Sequence, residues 1–231
     1  MKNISKNILL IGASSGIGRK LQPYFINDGF LVIPHYFKEK IEDGYHADIR
    51  KPDEVKEMVA KILKKYESID ILINCAGISI DGIAHRYNYE DWKKTIDTNL
   101  NGAFYCIREV LPSMRNNNYG VIINISSVVG RIGIPGTIAY SASKVGLMGL
   151  TRTIAIESIA KGITCNSIAL GYVNAGLTAR LPQELKKQIL ERIPMKRFCE
   201  IDEIYNTIDF IIRTPYITGQ IIDLNGGLFS I

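Results

Sequence analysis

Tyr140 and Lys144 stand four residues apart in a stretch, about 139–160, whose composition is helical, so both side chains leave one face a turn apart. A free phenol titrates near ~10, too high to exchange protons efficiently at neutral pH. A neighbouring ammonium favours the phenolate and lowers that value. Tyr140 can then hand a proton to a carbonyl oxygen, or take one back in reverse. Ser127, at the end of an apolar run thirteen residues earlier, can steady the same oxygen. Asn99, inside a long amphipathic stretch, carries an amide that can hold a water for proton relay. Alone, a Tyr-x-x-x-Lys pair is what any helix surface offers. Its order after the motifs upstream makes it informative.

The first of these is an apolar run, 7–11, followed by Gly12-Ala13-Ser14-Ser15-Gly16-Ile17-Gly18 and helical Arg19-Lys20-Leu21. A strand, a glycine loop and a helix start gather unpaired N–H groups at the positive end of the macrodipole, which suits a phosphate. The spacing is G-x-x-x-G-x-G instead of the commoner dinucleotide fingerprint G-x-G-x-x-G. Asp48, followed by Ile49, comes after the third predicted strand, where a carboxylate can accept from an adenine amine; a turn or capping Asp looks the same. Asn74-Cys75-Ala76-Gly77 ends the fourth strand, and Asn74, Ala76 and Gly77 are small enough there for a flat cofactor to lie against backbone. Pro34-His35-Tyr36-Phe37-Lys38 contains no acid to take ribose hydroxyls, whereas Arg19 and Lys38 are placed to meet a ribose 2′-phosphate. Ordinary surface cations would share that pattern.

The elements that must position these groups alternate. Strands are expected at 7–11, 30–33, 45–47, 69–74, 120–125, 164–169 and 220–223, with helical stretches between them. After Pro52, the positions Val55, Met58, Val59, Ile62, Leu63 and Tyr66 recur at helical steps. A long helix is expected over 89–116 and another over 139–160. Only about 34–44 separates strands two and three, too short for a full crossover helix, so a loop or single turn is expected. This describes an α/β fold: one Rossmann-type, doubly wound parallel sheet of about seven strands with helices on both faces, a single domain over 1–231.

With 46% hydrophobic and 22% charged residues, composition has the balance of an ordinary globular core with a solvated surface. The charge excess, 28 − 23 = +5, is scattered and points to anionic small molecules instead of nucleic acid. Four separated cysteines suggest buried thiols in a reducing compartment, and three histidines lack ligand spacing, so no metal is expected. No targeting run or bilayer-length apolar stretch is present, which implies a cytoplasmic protein free of the membrane.

With these motifs in order, the sequence resembles the short-chain dehydrogenase/reductase family along essentially its whole length. The family's T-G-x-x-x-G-x-G stands as Ile11 to Gly18, its N-N-A-G as Asn74-Cys75-Ala76-Gly77, and its Asn–Ser–Tyr–Lys tetrad as Asn99, Ser127, Tyr140 and Lys144. Tyr216-Ile217-Thr218-Gly219-Gln220 and Asp223-Leu224-Asn225-Gly226-Gly227 are also typical. Two departures stand out. Ile11 replaces the threonine that opens the glycine motif and removes a hydrogen bond. The segment P-G-x-[IV]-x-T is Leu170-Gly171-Tyr172-Val173-Asn174-Ala175, which keeps Val173 to meet the carboxamide but loses the cofactor-contacting threonine.

The resemblance implies an NAD(P)-dependent oxidoreductase in which Lys144 also bonds the nicotinamide ribose; NADP(H) is favoured over NAD(H). Within the family the chain is most similar to bacterial 3-oxoacyl-[acyl-carrier-protein] reductases, including Ile125-Ser126-Ser127-Val128-Val129-Gly130, which implies a carrier-bound acyl substrate and a place in fatty acid or polyketide biosynthesis. The alternatives are a reductase or dehydrogenase of a free small secondary alcohol, sugar or cyclic ketone, and a nucleotide-binding module without turnover, which would have no need of Tyr140 and Lys144 together. Residues 176–195 should form a lid. Lys161 falls where the carrier-protein reductases dock their carrier; the other docking position is Asn118, with Arg115 nearby. The helix over 139–160 is apolar nearly all round, which with the resemblance implies a homotetramer.

Overall fold

The computed structural model describes residues 6–14 and 16–229; Ser15 of the glycine loop lies outside them. Among the described residues one sheet contains β1 (Asn7–Ile11), β2 (Leu31–Tyr36), β3 (Tyr45–His46), β4 (Ile71–Asn74), β5 (Gly120–Ser127), β6 (Ile163–Leu170) and β7 (Ile221–Leu224). Their order is β3-β2-β1-β4-β5-β6-β7, with every neighbouring pair parallel. β5 and β6 are buried at every position, so covered on both faces that they show no alternation of polarity.

Successive strand residues feed opposite apolar layers, as the pleat requires. Leu9 and Ile11 join Val55, Met58 and Ile62 of α2 (Pro52–Tyr66). Ile8 and Leu10 join Leu21 and Phe25 of α1 (Gly16–Asn27). α2 opens with Pro52, Asp53 and Glu54 and closes with Lys64 and Lys65, each charge complementing the helix dipole.

The remaining helices are α3 (Tyr89–Ile96), α4 (Gly102–Asn117), α5 (Val129–Ile132), α6 (Ile138–Ser158), α7 (Gly176–Ala179), α8 (Gln183–Arg192) and α9 (Ile201–Arg213). The expected long helix over 89–116 is α3 and α4 joined by a π-helical turn, Asp97–Asn101. β2 runs to Tyr36, beyond the expected end at 33, because Pro34 lies just before pairing with β3 begins at His35. The connection from β2 to β3 carries no helix, as its length requires.

From β1 the chain builds β2 and β3 to one side, then crosses to start β4 on the other. A crevice at the carboxyl ends of β1 and β4 follows from that reversal, and it is where open sheets of this kind hold ligands. Among the described residues no helix is long and apolar enough to cross a membrane.

Candidate active site

The register Ile11↔Asn74 brings the glycine turn against Cys75 and Ala76 across the crevice. A Cβ on Gly12, whose φ is +82°, would lie 2.8 Å from the Ala76 backbone, and one on Gly18 would lie 2.3 Å from the Gly12 carbonyl oxygen. Neither distance admits a side chain, so backbone can approach a diphosphate closely. Ala13 N–H donates to the His35 carbonyl (3.0 Å), and its own carbonyl accepts from Gln22 Nε2 (2.9 Å). Ser14 is buried, and Gly16 and Ile17 lie beside Gly176, the first residue of the segment expected to form a lid. This narrow, glycine-lined cradle at a helix start fits a nicotinamide dinucleotide.

His35, which sequence reasoning left aside, ties the cradle together. Gly12 N–H donates to its Nδ1 (3.1 Å), and its Nε2–H donates to the Ala47 carbonyl (3.0 Å). Asp48 lies just beyond but is not the free acceptor expected for an adenine amine. Arg50 donates to its two carboxylate oxygens from Nε (2.8 Å) and Nη2 (2.5 Å), and those bonds hold its carboxyl below the usual range. Ile49 is buried, its Cδ1 2.9 Å from where a Gly102 Cβ would stand. Arg19 is ion-paired with Glu39, an acid one residue past the segment read as acid-free, while Lys38 is exposed with no ion pair among the described residues. The expected pair of free cations is therefore one. Asn74 spends its amide nitrogen on Asn124 Oδ1 (2.8 Å), bracing β4 to β5, so its side chain serves the sheet.

The cluster around Tyr140 stands on the same carboxyl edge. Ser127 ends β5, where its hydroxyl is near enough to the Tyr140 phenol to favour the phenolate, and it accepts Val129 N–H (3.2 Å). The neighbouring Ser126 donates to the Lys144 carbonyl (3.0 Å), and Lys144 Nζ donates to the Ile125 carbonyl (2.7 Å), so two bonds fix α6 to β5. The Lys144 ammonium lies 5.5 Å from the centre of the Tyr140 ring, and 3.4 Å from where a Gly77 Cβ would stand. The π-turn presents Asn99 at the same spot. Its Oδ1 accepts Ile78 N–H (2.8 Å), and its Nδ2 donates to the Ile78 carbonyl (2.8 Å) and to Ser143 Oγ (3.0 Å). Ser143 in turn donates to the Tyr140 carbonyl (2.7 Å). Buried and fully engaged, the Asn99 amide is a clamp between the loop after β4 and α6; it does not present a free amide to water as expected.

Electrostatics here differ from the sequence expectation. Burial pushes the Tyr140 phenol above its ordinary range, with the nearby Ser127 hydroxyl opposing, so without cofactor the phenol keeps its proton. Burial lowers Lys144 to about 8. Cys75, at the second Asn position of N-N-A-G, is pushed up to about 11 and stays a neutral thiol. Tyr172 couples electrostatically to Tyr140 and lines a cleft with Ile132, Ile134, Ile189, Arg192 and Leu228, roofed by α8. The Val173 carbonyl accepts Ala175 N–H (2.7 Å), so its N–H is the group it can offer a ligand.

A glycine cradle at the reversal point of a parallel sheet, beside a proton-donor cluster on the same edge, defines a dinucleotide-dependent oxidoreductase. Residues 12–229 match a family model described as enoyl-(acyl carrier protein) reductase. A Staphylococcus epidermidis protein named 3-oxoacyl-[acyl-carrier-protein] reductase FabG is 40% identical over 243 residues, covering 98% of this chain and 100% of that relative. Proteins of the same name from Staphylococcus aureus (39% identical; 98% and 99% covered) and Thermotoga maritima (36% identical; 99% of each) also match. The chain belongs to the short-chain dehydrogenase/reductase family and is an NAD(P)-dependent oxidoreductase.

Proposed function

We propose that this chain, a single catalytic domain over residues 1–231, is an NADPH-dependent ketoreductase that converts a 3-oxoacyl thioester, carried on an acyl carrier protein, to its 3-hydroxyacyl form. The observation that carries this is the gathering of Ser127 at the end of β5, Tyr140 and Lys144, the last two 5.5 Å apart from ring centre to ammonium, at the mouth of the glycine crevice. When bound there, the reduced nicotinamide supplies hydride to the carbonyl carbon. Ser127 holds the carbonyl oxygen, and Tyr140, kept protonated by burial, donates its proton to that oxygen as charge develops. Lys144 bonds the nicotinamide ribose and stabilises the phenolate left behind, and Asn99 holds the loop and α6 in register. Gly12 to Gly18 and Ala76 cradle the diphosphate, Gly77 borders the nicotinamide site and Val173 N–H meets the carboxamide. Lys38 is the cation open to a 2′-phosphate, and Arg19 joins it on releasing Glu39.

The names of the family model and of the relatives agree on carrier-bound acyl groups and differ in the bond reduced. A serine and a phenol converging on one oxygen favour C=O over C=C. Lys161 does not stand beside its own pocket mouth. It lies just before β6, its Nζ 3.4 Å from Asn118 Oδ1 before β5. Those strands span about 26 Å to the catalytic edge, so Lys161 can serve a pocket only across a subunit boundary. On this chain's own lid, Arg180, Lys187 and Arg192 are the exposed cations. We place the protein in the cytoplasm as a homotetramer.

The test compares acetoacetyl carrier protein with the same acyl group on a short thiol, following loss of reduced-cofactor absorbance. A higher kcat/KM with the carrier, reduced by Arg192→Glu, is expected. Equal values for the two thioesters would shift the assignment to a free small ketone.

A further inference from the structure

We propose that His35 is a positioning residue for the dinucleotide: as a neutral imidazole carrying its proton on Nε2 it holds the glycine turn in shape, and a second proton releases the turn and weakens cofactor binding. The proposal rests on the crevice being the dinucleotide site.

Both ring nitrogens are engaged with opposite polarity, Nδ1 accepting from Gly12 N–H (3.1 Å) and Nε2–H donating to the Ala47 carbonyl (3.0 Å). Of the three protonation forms only one satisfies both. The Nδ1–H tautomer loses both bonds, and the imidazolium turns a donor toward the Gly12 donor. The residue is 2% exposed, so no solvent replaces a lost partner. Its own carbonyl accepts Ala13 N–H (3.0 Å), so two consecutive turn donors depend on this residue. Gly12 has no slack on its other side, where Ala76 backbone would be 2.8 Å from a Cβ. Rotating the Gly12 peptide away from His35 therefore disturbs the donors that follow it into the crevice. Ile11, beside it, has no polar side-chain atom with which to brace the turn.

The charged and titratable groups facing the ring are His46, which disfavours a proton, and Asp48, which favours one but is itself held by Arg50. Glu54 accepts Asp48 N–H beyond them. Burial outweighs these, so His35 titrates below its ordinary value. The neutral form and its bonds are thus complete above about pH 6.5 and are lost as pH falls through the lower folded value.

The test measures the Kd of NADPH for the whole protein in wild type, His35→Asn and His35→Leu, from about pH 7.5 down through the pH at which NMR shows the wild-type His35 ring to titrate. Asn Oδ1 stands where Nδ1 does and accepts without titrating; Leu fills space and accepts nothing. His35→Asn is expected to lose about fivefold less affinity across that range than wild type, and His35→Leu to bind about fivefold more weakly at pH 7.5. Titration of the 2′-phosphate and of Lys144 is common to all three and cancels. Parallel pH profiles for wild type and His35→Asn would overturn the proposal. Nitrogen-detected NMR of the cofactor-free wild type checks the same point even where a variant misfolds. The Nε2–H tautomer, with the Gly12 amide moving as His35 titrates, is expected; an Nδ1–H tautomer would overturn the proposal. Absence of NADPH and NADH binding to wild type would refute the dinucleotide assignment, while the NMR titration still reports on His35 and Gly12.

Discussion

The role proposed for Lys144 sets two demands against each other: it must be charged to stabilise a phenolate, and it sits where burial makes charge costly. Lowered to about 8, it is an ammonium below that pH and loses its proton above it. The kcat/KM for ketone reduction should therefore fall as pH rises from about 7 to about 9, the limb reporting the free enzyme. A profile flat across that interval would contradict the role given to Lys144. Tyr140, Lys144, Ser127 and Asn99 were legible in sequence because their types, spacing and order along the chain survive without coordinates. Partner choice was not legible. Arg50 claims Asp48 from two residues away, a choice of rotamer that the sequence does not state, and Glu39 claims Arg19 of α1 from twenty residues on because the loop after β2 folds back over it. His35 was recoverable in principle: Leu10 pairs with Pro34, which sets the next residue beside the glycine turn.

At the scale of elements, the alternation of strand and helix was legible because a sheet covered on both faces needs unbroken apolar strands, and those are visible as runs. The π-turn at Asp97–Asn101 was not, since one extra residue in a helix changes little in an apolar pattern. It matters because it sets Asn99 against Ile78 and Ser143. Ser143→Ala should remove one link of that clamp, lowering kcat several-fold with little change in cofactor Kd, and steady-state kinetics with direct binding checks the split. The glycine turn makes a sharper demand. Gly18→Ala drives a methyl against the Gly12 carbonyl oxygen at 2.3 Å, and cofactor affinity should drop at least about tenfold in a titration of protein fluorescence. Unchanged affinity would mean that the turn is not the phosphate site.

Across the whole molecule, α6 keeps Val145 and Ile156 exposed, Ile159 is exposed in the turn that follows it, and Trp92 and Phe104 are exposed on α3 and α4. A helix covering a sheet needs only one apolar stripe, so this second face calls for a partner subunit. Light scattering should give about four times the 25.8 kDa chain mass, and Ile156→Glu, at a side chain 77% exposed here, should lower it while secondary structure persists. A monomeric wild type would contradict the assembly but leave the chemistry standing. The proposed chemistry rests on one proton, given by Tyr140 to the oxygen that Ser127 holds. The most direct measurement is the rate of NADPH oxidation with acetoacetyl carrier protein by wild type and Tyr140→Phe, alongside the NADPH Kd of each. Turnover is predicted to fall at least ~10²-fold with Kd nearly unchanged; near-native turnover in Tyr140→Phe would contradict the mechanism.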